Sequence, residues 1–570
     1  MIVFDTEDDS PELLAAGKSG FLKTVTQIAA ITSDGKKFYN KGNVTEFLKW
    51  CHSTGESDVW AFNAQYDIGN LCNKSSQLNL WDFDVTMVKG RFIKGQLQGL
   101  QFYDVHNLSG VGSSVGKMGL AVGFPKFGFK YSPKEFATFS DFRQKEYLEF
   151  ESSGTDKFRN KKYVFRDCEI PMRWLKFISE QCDGMGIEKV PATLGSLCTK
   201  AFSALGNENW FEASKCECDG KCACRTTAKA LTGARVELFS GGGTGRIAYT
   251  DINSLYPHCM TMDFPTTLEH LPDLNGFGIA EVSVEVPKCR VAPLPIKDGE
   301  DRLIFPYGKF RGVWTLHEIR SAVKHGTKIR KIHWCMGSKT GKPYYRDYVL
   351  KMYSNRSASK TPAENLFWKL LMNNLYGRLA ISGVISRSLN LTEENFDSGI
   401  PYGTKVLCDN QMPLPGFTNY LHAAYVLSYA RILLYNYLVS VPADDLIYCD
   451  TDSMIFFCKD EIPFPVNKEL GAMKLESWGE RCTPYLPKTY RFNDTYKAKG
   501  VPKKNAKDFI ENGSTEYDLP FKLREAIQFY DAGNSHKLSV WRRVEKIRAA
   551  VYDRKKISGK YFLPKKVNFD

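Results

Sequence analysis

No stretch of 18 apolar residues occurs in the 570-residue chain. The nearest approach, Ala423 to Val439, is interrupted by Arg431 and several polar residues. It therefore reads as a buried or amphipathic helix, and a bilayer-spanning segment is excluded. Met1 runs at once into the strand-like Ile2-Val3-Phe4-Asp5, so a secretory leader is not expected. No repeat or low-complexity tract is evident. Sixteen cysteines are present, yet disulfide frameworks of that density belong to small secreted chains. The expectation is a reducing compartment without membrane contact, the cytoplasm of the cell that makes the protein.

Hydrophobic residues make up 43% and charged residues 25%, with 37 Phe and 28 Tyr, so there is material for substantial cores. The length exceeds what a single core sustains, and several packed units are expected. Lys and Arg number 77 against 64 acids, a net charge of +13. From Lys537 onward there are eleven Lys or Arg and three acids. Such a segment suits a polyanion backbone or, equally, a solvated surface tail. The stretch from Trp541 to Lys566 mixes helix-like spacing with this charge.

The first 185 residues alternate strand-like runs (Ile2–Phe4, Val59–Phe62, Gln101–Val105) with helical ones. They predict one α/β unit on a mixed sheet. Tyr163 to Ile178 has helical spacing, with Pro171 demanding local adjustment. Further along, Pro362 and Glu364 mark the start of a helix over 361–379. Residues 385–418 look loop-rich, and a long helix is expected over Tyr420 to Val439. Two strands flank an acidic turn between Leu446 and Phe457.

Two groups of carboxylates carry chemistry. Asp5 and Glu7 share one side of a strand end, because side chains alternate with a period of two. Asp67 closes Asn63-Ala-Gln-Tyr-Asp67 just past a strand, and Asp167 sits one helical turn after Tyr163. Four acids at one point would repel each other unless hard divalent cations sat between them. Two such ions suit phosphodiester hydrolysis, with Tyr163 orienting the water. In the second group, Asp251 ends a strand and leads into Ser254-Leu-Tyr256-Pro257. Lys369, Asn373 and Tyr376 of Lys369-Leu-Leu-Met-Asn-Asn-Leu-Tyr-Gly377 project from one helix face. They offer a cation for a triphosphate and a ring for a base. Tyr448-Cys-Asp450-Thr-Asp452-Ser453 places two acids on a tight turn between apolar strands, which is costly unless a cation is bound. Asp251 and Asp452 would hold two Mg²⁺ ions for in-line phosphoryl transfer, with Asp450 supporting.

In this order, these segments resemble the three exonuclease motifs and motifs A, B and C of family B DNA polymerases. Lys488-Thr489-Tyr490 resembles that family's Lys-x-Tyr motif, with Gly471 to Glu476 in the same neighbourhood. The resemblance implies an RNase H-like 3′–5′ exonuclease domain followed by a right-hand polymerase of palm, fingers and thumb. It implies Mg²⁺, two per active site with Mn²⁺ as a substitute. The implied ligands are primer-template, single-stranded DNA and dNTPs. Thr6 and Asn63 would hold a single-stranded 3′ end, and Lys145 would supply the exonuclease lysine, with Lys126, Lys130 and Lys134 as alternatives. Tyr256 would exclude a ribose 2′-OH. Lys369, Asn373, Tyr376, Gly377 and Tyr448 would bind nucleotide, and Lys488 and Tyr490 the primer-template. Asn374 stands where the family commonly has Ser.

The small size and two extra segments resemble the protein-primed subgroup. Phe239-Ser240-Gly241-Gly242 resembles its Tyr-x-Gly-Gly linker, with Phe in place of Tyr, and Gly241 and Gly242 would contact primer-template. The implied division is exonuclease 1–185, linker and first palm part 186–260, insertion 261–357, fingers 358–384, insertion 385–419, second palm part 420–528 and thumb 529–570. The insertions would meet a terminal protein primer and support strand displacement, in a monomeric enzyme. Alternatives are a nucleic-acid-primed family B polymerase, a catalytically decayed DNA-binding replication protein and a stand-alone nuclease. Cys216, Cys218, Cys222 and Cys224 lie outside the family pattern. They are open to structural Zn²⁺, disulfides or free thiols.

Overall fold

The computed structural model describes residues 1–570 except 18–23, 73–77, 111, 154–159, 207–222, 382–383, 412–416, 521, 532–540, 550–551 and 569–570. Cys216, Cys218, Cys222 and the Cys224 side chain therefore lie outside what is described. The cysteines that are described carry free thiols, all buried but the half-buried Cys289.

The amino-terminal unit is built on β1 (Ile2–Asp8), β2 (Val25–Thr32), β3 (Lys37–Asn40), β4 (Asp58–Ala61), β5 (Asp84–Val88), β6 (Arg91–Leu97) and β7 (Leu100–Asp104). They run β5-β6-β7-β4-β1-β2-β3 across the sheet. Pairing is antiparallel for β1 with β2 and parallel for β1 with β4 and β4 with β7. This is the mixed sheet expected. Alternate residues of β1 enter two different cores. Ile2 and Phe4 pack with Phe47 and Ile68, whereas Val3 packs with Val164 and Cys168. The latter come from helix α1 (Lys161–Gly184), which continues through Pro171.

Residues 385–418 are not the loop that their Pro and Gly content suggested. Strands Val384–Asn390, Lys405–Gln411 and Gly399–Tyr402 form an antiparallel meander that extends the amino-terminal sheet beyond β5. Pro401 lies in the edge strand, where a missing N–H costs least.

The second large sheet consists of β8 (Val236–Leu238), β9 (Gly243–Ile252), β10 (Leu446–Asp450), β11 (Ser453–Phe457), β12 (Met473–Leu486), β13 (Thr489–Phe492) and β14 (Thr495–Ala498). Their spatial order is β14-β13-β12-β9-β11-β10-β8. A helical hairpin, α2 (Arg346–Ser357) and α3 (Pro362–Leu379), packs against helices Leu194–Ala204 and Leu255–Met260. The first arm of that hairpin falls inside the segment read as insertion 261–357. Thr361 and Glu364 close a capping box at the start of α3, with Pro362 at the first helical turn. Helix α4 (Tyr420–Ser440) is buried along most of its length. One continuous core runs from Val3 and Trp60 through α1, α2 and α3 to Leu434 and Met454, so the two units are packed together.

A five-stranded sheet joins Glu269–His270, Lys328–Ser338, Phe277–Val286, Tyr307–Thr315 and Lys566–Asn568. The basic carboxy-terminal stretch is extended, against its helix-like spacing. Trp541–Ile547 pairs with Ser514–Pro520, and Lys566–Asn568 pairs in parallel with Tyr307–Lys309. Cross-strand pairing fixes its conformation where residue spacing alone does not. No described helix is long and apolar enough to cross a membrane.

Candidate active sites

In the amino-terminal unit, the period of β1 decides which acids meet. Asp5 and Glu7 follow Val3 onto the face covered by α1, and α1 presents Tyr163 and Asp167 there. Oxygens of Asp5, Glu7 and Asp167 lie within 4.8 Å of one another. Thr6 points the other way. It is buried, and both its N–H and its hydroxyl donate to Asp67 Oδ1, at 3.0 and 2.7 Å. Asn70 Nδ2 donates to the same hydroxyl at 2.9 Å. Asp67 therefore stands outside the three-carboxylate group, although its charge reaches Asp5. The expected four-acid convergence is thus three acids with a fourth behind them, and the Thr6 side chain is hydrogen-bonded to that fourth acid.

Burial pushes the Asp5 carboxyl well above its ordinary range, reinforced by Asp167, Asp67 and Glu7. Burial and then Asp167 raise Glu7 to about 8. Burial also raises Asp167, against the opposing pull of Lys126. Buried Asp167 Oδ1 has no hydrogen-bond partner among the described residues. Clustered, underpartnered carboxylates with raised proton affinity are the donor set a hard divalent cation satisfies.

The lysine of this site is Lys126, not Lys145. Lys126 Nζ is ion-paired with Asp167 Oδ2 and lies 4.6 Å from the centre of the Tyr163 ring. Burial lowers the Lys126 proton affinity, but Asp167, Tyr163 and Asp5 more than reverse it. Lys145 is exposed and only 3.9 Å from Glu149, one helical turn away. Lys130 and Lys134 are exposed. Spacing could not separate the four, because the chain between the motifs loops before it returns. Asn63, with φ +65°, forms the turn after β4, and its N–H donates to Asp104 Oδ1 at 2.8 Å. Asp104, unnoticed in the sequence, also accepts from His106 N–H at 2.8 Å, and burial raises it to about 6.

The second site lies at the ends of adjacent strands. Asp251 pairs in register with Ser453 on β11 and with Lys474 on β12. Between β10 and β11 the chain turns through Thr451 at φ +63°, which sets Asp450 and Asp452 on the hairpin tip. Asp452 is raised to about 7 by burial and then by Asp251. Asp251 is raised by burial, opposed by Lys474. Lys474 Nζ lies 3.8 Å from Asp251 and 2.6 Å from Glu476. The sequence reading placed that segment near the site but did not single out these two residues.

Asp450 is already committed. Lys488 Nζ pairs with its Oδ1 at 2.7 Å, and Tyr448 Oη donates to its Oδ2 at 3.3 Å. The Lys488 N–H donates to Tyr448 Oη at 2.8 Å, which locks the Lys-x-Tyr turn onto the hairpin. Tyr490 is buried, its ring 5.3 Å from that of Tyr448. The ring of Tyr256, on helix Leu255–Met260, lies 4.7 Å from that of Tyr376 of α3, with the planes tilted by 39°. Lys369 is exposed on the same helix, where its charge favours ionised Asp251. Asn373 is half-buried, Gly377 is exposed with open space beside it, and Asn374 bonds the Leu370 carbonyl at 2.8 Å.

The Gly-Gly linker is packed rather than free. Gly241 N–H donates to the Lys560 carbonyl at 2.8 Å. Gly242 has φ +74°, and a Cβ there would lie 2.1 Å from the Cys482 carbonyl oxygen, so only glycine fits. Phe239 is fully buried.

The fold and the paired acidic sites define a right-hand polymerase architecture behind an amino-terminal exonuclease-like unit. Phi29 DNA polymerase complexed with primer-template DNA and incoming nucleotides has the same fold, with TM-score 0.65 at 15% identity over 96% of this chain and 98% of that one. A family model described as DNA polymerase type B, organellar and viral, matches residues 143–394. A probable DNA polymerase of Ascobolus immersus is 29% identical over 301 residues, 48% of this chain and 24% of that protein. The DNA-directed DNA polymerase of Enterobacteria phage PRD1 is 26% identical over 284 residues, 45% of this chain and 48% of that one. The chain thus spans less than half the length of these curated relatives. Over these segments, less than half of its length, the chain is similar to type B DNA polymerases of organellar and phage origin.

Proposed function

We propose that the chain copies DNA from dNTPs at the Asp251–Asp452 site and removes mispaired 3′ ends at the Asp5–Glu7–Asp167 site. The juxtaposition of two proton-avid carboxylates across adjacent strands, beside the tilted Tyr256–Tyr376 ring pair, carries the reading. Asp251 and Asp452 would hold Mg²⁺. When bound, the ions activate the primer 3′-OH and offset charge on the leaving pyrophosphate. Lys369 meets the triphosphate, and the paired Tyr rings form the wall against which sugar and base are placed. Lys488 and Tyr448 hold Asp450 and so keep the hairpin tip in place.

At the first site, Asp5, Glu7 and Asp167 would hold the cations of a phosphodiester hydrolysis. Lys126 keeps Asp167 oriented and offers its ammonium to the scissile phosphate. Tyr163, held beside Lys126, orients the water. Primer extension with Mg²⁺ and dNTPs tests the polymerase, and absence of incorporation by pure, folded protein would overturn it.

Initiation from a terminal protein, with strand displacement, is the priming mode we favour. The small chain and the two extra segments, 261–357 and 385–419, support that reading through their resemblance to the subgroup's insertions. Covalent transfer of a dNMP to a hydroxyl side chain of a candidate terminal protein is the test. Extension only from oligonucleotide primers would instead assign nucleic-acid priming.

A further inference from the structure

Behind the hairpin that carries Asp450 and Asp452, three charged side chains are buried together. Arg235, Glu237 and Lys555 are 1%, 3% and 5% exposed. Arg235 Nε pairs with one Glu237 oxygen at 2.6 Å and Lys555 Nζ with the other at 3.0 Å. The Arg235 guanidinium lies 4.0 Å from the Phe305 ring and donates to the Ala292 carbonyl at 2.8 Å. Lys555 lies 4.0 Å from the ring of Phe239 in the linker. Two cations on one anion in a dry interior are expensive, and apolar side chains of similar volume would serve stability as well or better.

What the cluster touches gives it a use. The Arg235 carbonyl accepts a 2.8 Å hydrogen bond from the Thr451 N–H, at the tip between Asp450 and Asp452. Val236, Glu237 and Leu238 pair in register with Asp450, Cys449 and Tyr448. Lys555 belongs to the carboxy-terminal segment, and Ala292 and Phe305 to the segment 261–357.

We infer that Arg235, Glu237 and Lys555 are positioning residues for polymerisation. The carboxylate of Glu237 fixes Arg235, whose carbonyl holds the Thr451 turn and with it the spacing of Asp452 from Asp251. Lys555 ties the carboxy-terminal segment to the same carboxylate, so docking of that segment and geometry of the metal-binding tip are coupled. The inference rests on the polymerase reading above.

The test uses the full chain with Glu237→Gln and Lys555→Met. Single-nucleotide incorporation is measured against Mg²⁺ and dNTP concentration, alongside single-strand degradation and Tm. Glu237→Gln is expected to lower kcat and raise half-saturating Mg²⁺ by about 10- to 100-fold, the range for groups that orient metal ligands. The dNTP KM and single-strand degradation stay near wild type. Lys555→Met shifts the same quantities less, and Lys555→Arg restores them. Lys555→Met leaves a one-to-one Arg235–Glu237 pair, so it carries the test if Glu237→Gln does not fold. A folded variant with wild-type kcat and Mg²⁺ dependence overturns the inference. Parallel loss of both activities along with Tm does so too. Wild-type protein that incorporates nothing would instead overturn the polymerase reading beneath it.

Discussion

At the residue scale, the two acidic groups make separate and opposite predictions. Asp452→Asn removes one of two proton-avid carboxylates at the hairpin tip. It should lower nucleotide incorporation on the order of 1000-fold, as when a charge-stabilising group is lost, while single-strand degradation continues. Lys126→Met should lower degradation roughly 100-fold and leave incorporation intact. Equal loss of both activities in either variant would mean that the sites are not independent. Proton affinity gives a further test. Glu7 is raised from its usual 4.5 to about 8, and Asp452 from 3.8 to about 7. The folded chain therefore holds more protons than the unfolded chain across that window. The contribution of these groups to stability is largest near the low end and declines as pH rises toward 7 to 8. Chelator-treated protein should lose Tm between about pH 5 and pH 8. Mg²⁺ should recover more of it at the upper end, because binding releases protons. A Glu7→Gln/Asp452→Asn variant that declined as steeply as wild type would contradict this assignment.

At the element scale, helix α3 matters because Lys369, Asn373 and Tyr376 ride on it. Its start is fixed by reciprocal bonds between Thr361 and Glu364. Thr361→Ala should cost about 1 kcal/mol, the usual worth of such a cap. It should speed amide exchange in the first turn and raise the dNTP KM more than it changes kcat. Unaltered exchange in residues 362–366 would show the cap to be dispensable. The meander 384–411 is likewise more than an ornament. Arg524 clamps Asp409 through two nitrogens at 2.8 Å and also reaches Ser386 at 2.7 Å. These bonds tie helix Leu523–Asp531 to the extension of the amino-terminal sheet.

At the scale of the whole molecule, a shared core joins the two units. The basic carboxy-terminal stretch is stitched into other parts of the chain by Lys566–Asn568 against Tyr307–Lys309. Primer-template affinity should fall steeply with salt, with a log–log slope near −0.9 per phosphate contacted on duplex. Removing residues 564–570 should weaken retention on DNA during synthesis and spare single-nucleotide incorporation. Unchanged product length from the truncated enzyme would show that this strand does not help hold DNA.

The motifs and their order, and the acids Asp5, Glu7 and Asp167 that the fold brings together, were legible in the sequence. Asp5 and Glu7, Tyr163 and Asp167, and Asp450 and Asp452 are close in the chain, so strand and helix periods fix their relation. The start of α3 and the extent of α4 were legible for the same reason, because caps and apolar spacing are local. Whatever depends on chain return came from the packed fold instead. It chose Lys126 over Lys145, turned Asp67 onto Thr6, and bound Lys488 to Asp450. It also made strands of residues 384–411, whose Pro and Gly looked like loop until β5 supplied a partner edge. Extended segments such as Trp541–Ile547 acquire their conformation from cross-strand hydrogen bonds with distant residues, and composition does not encode that pairing.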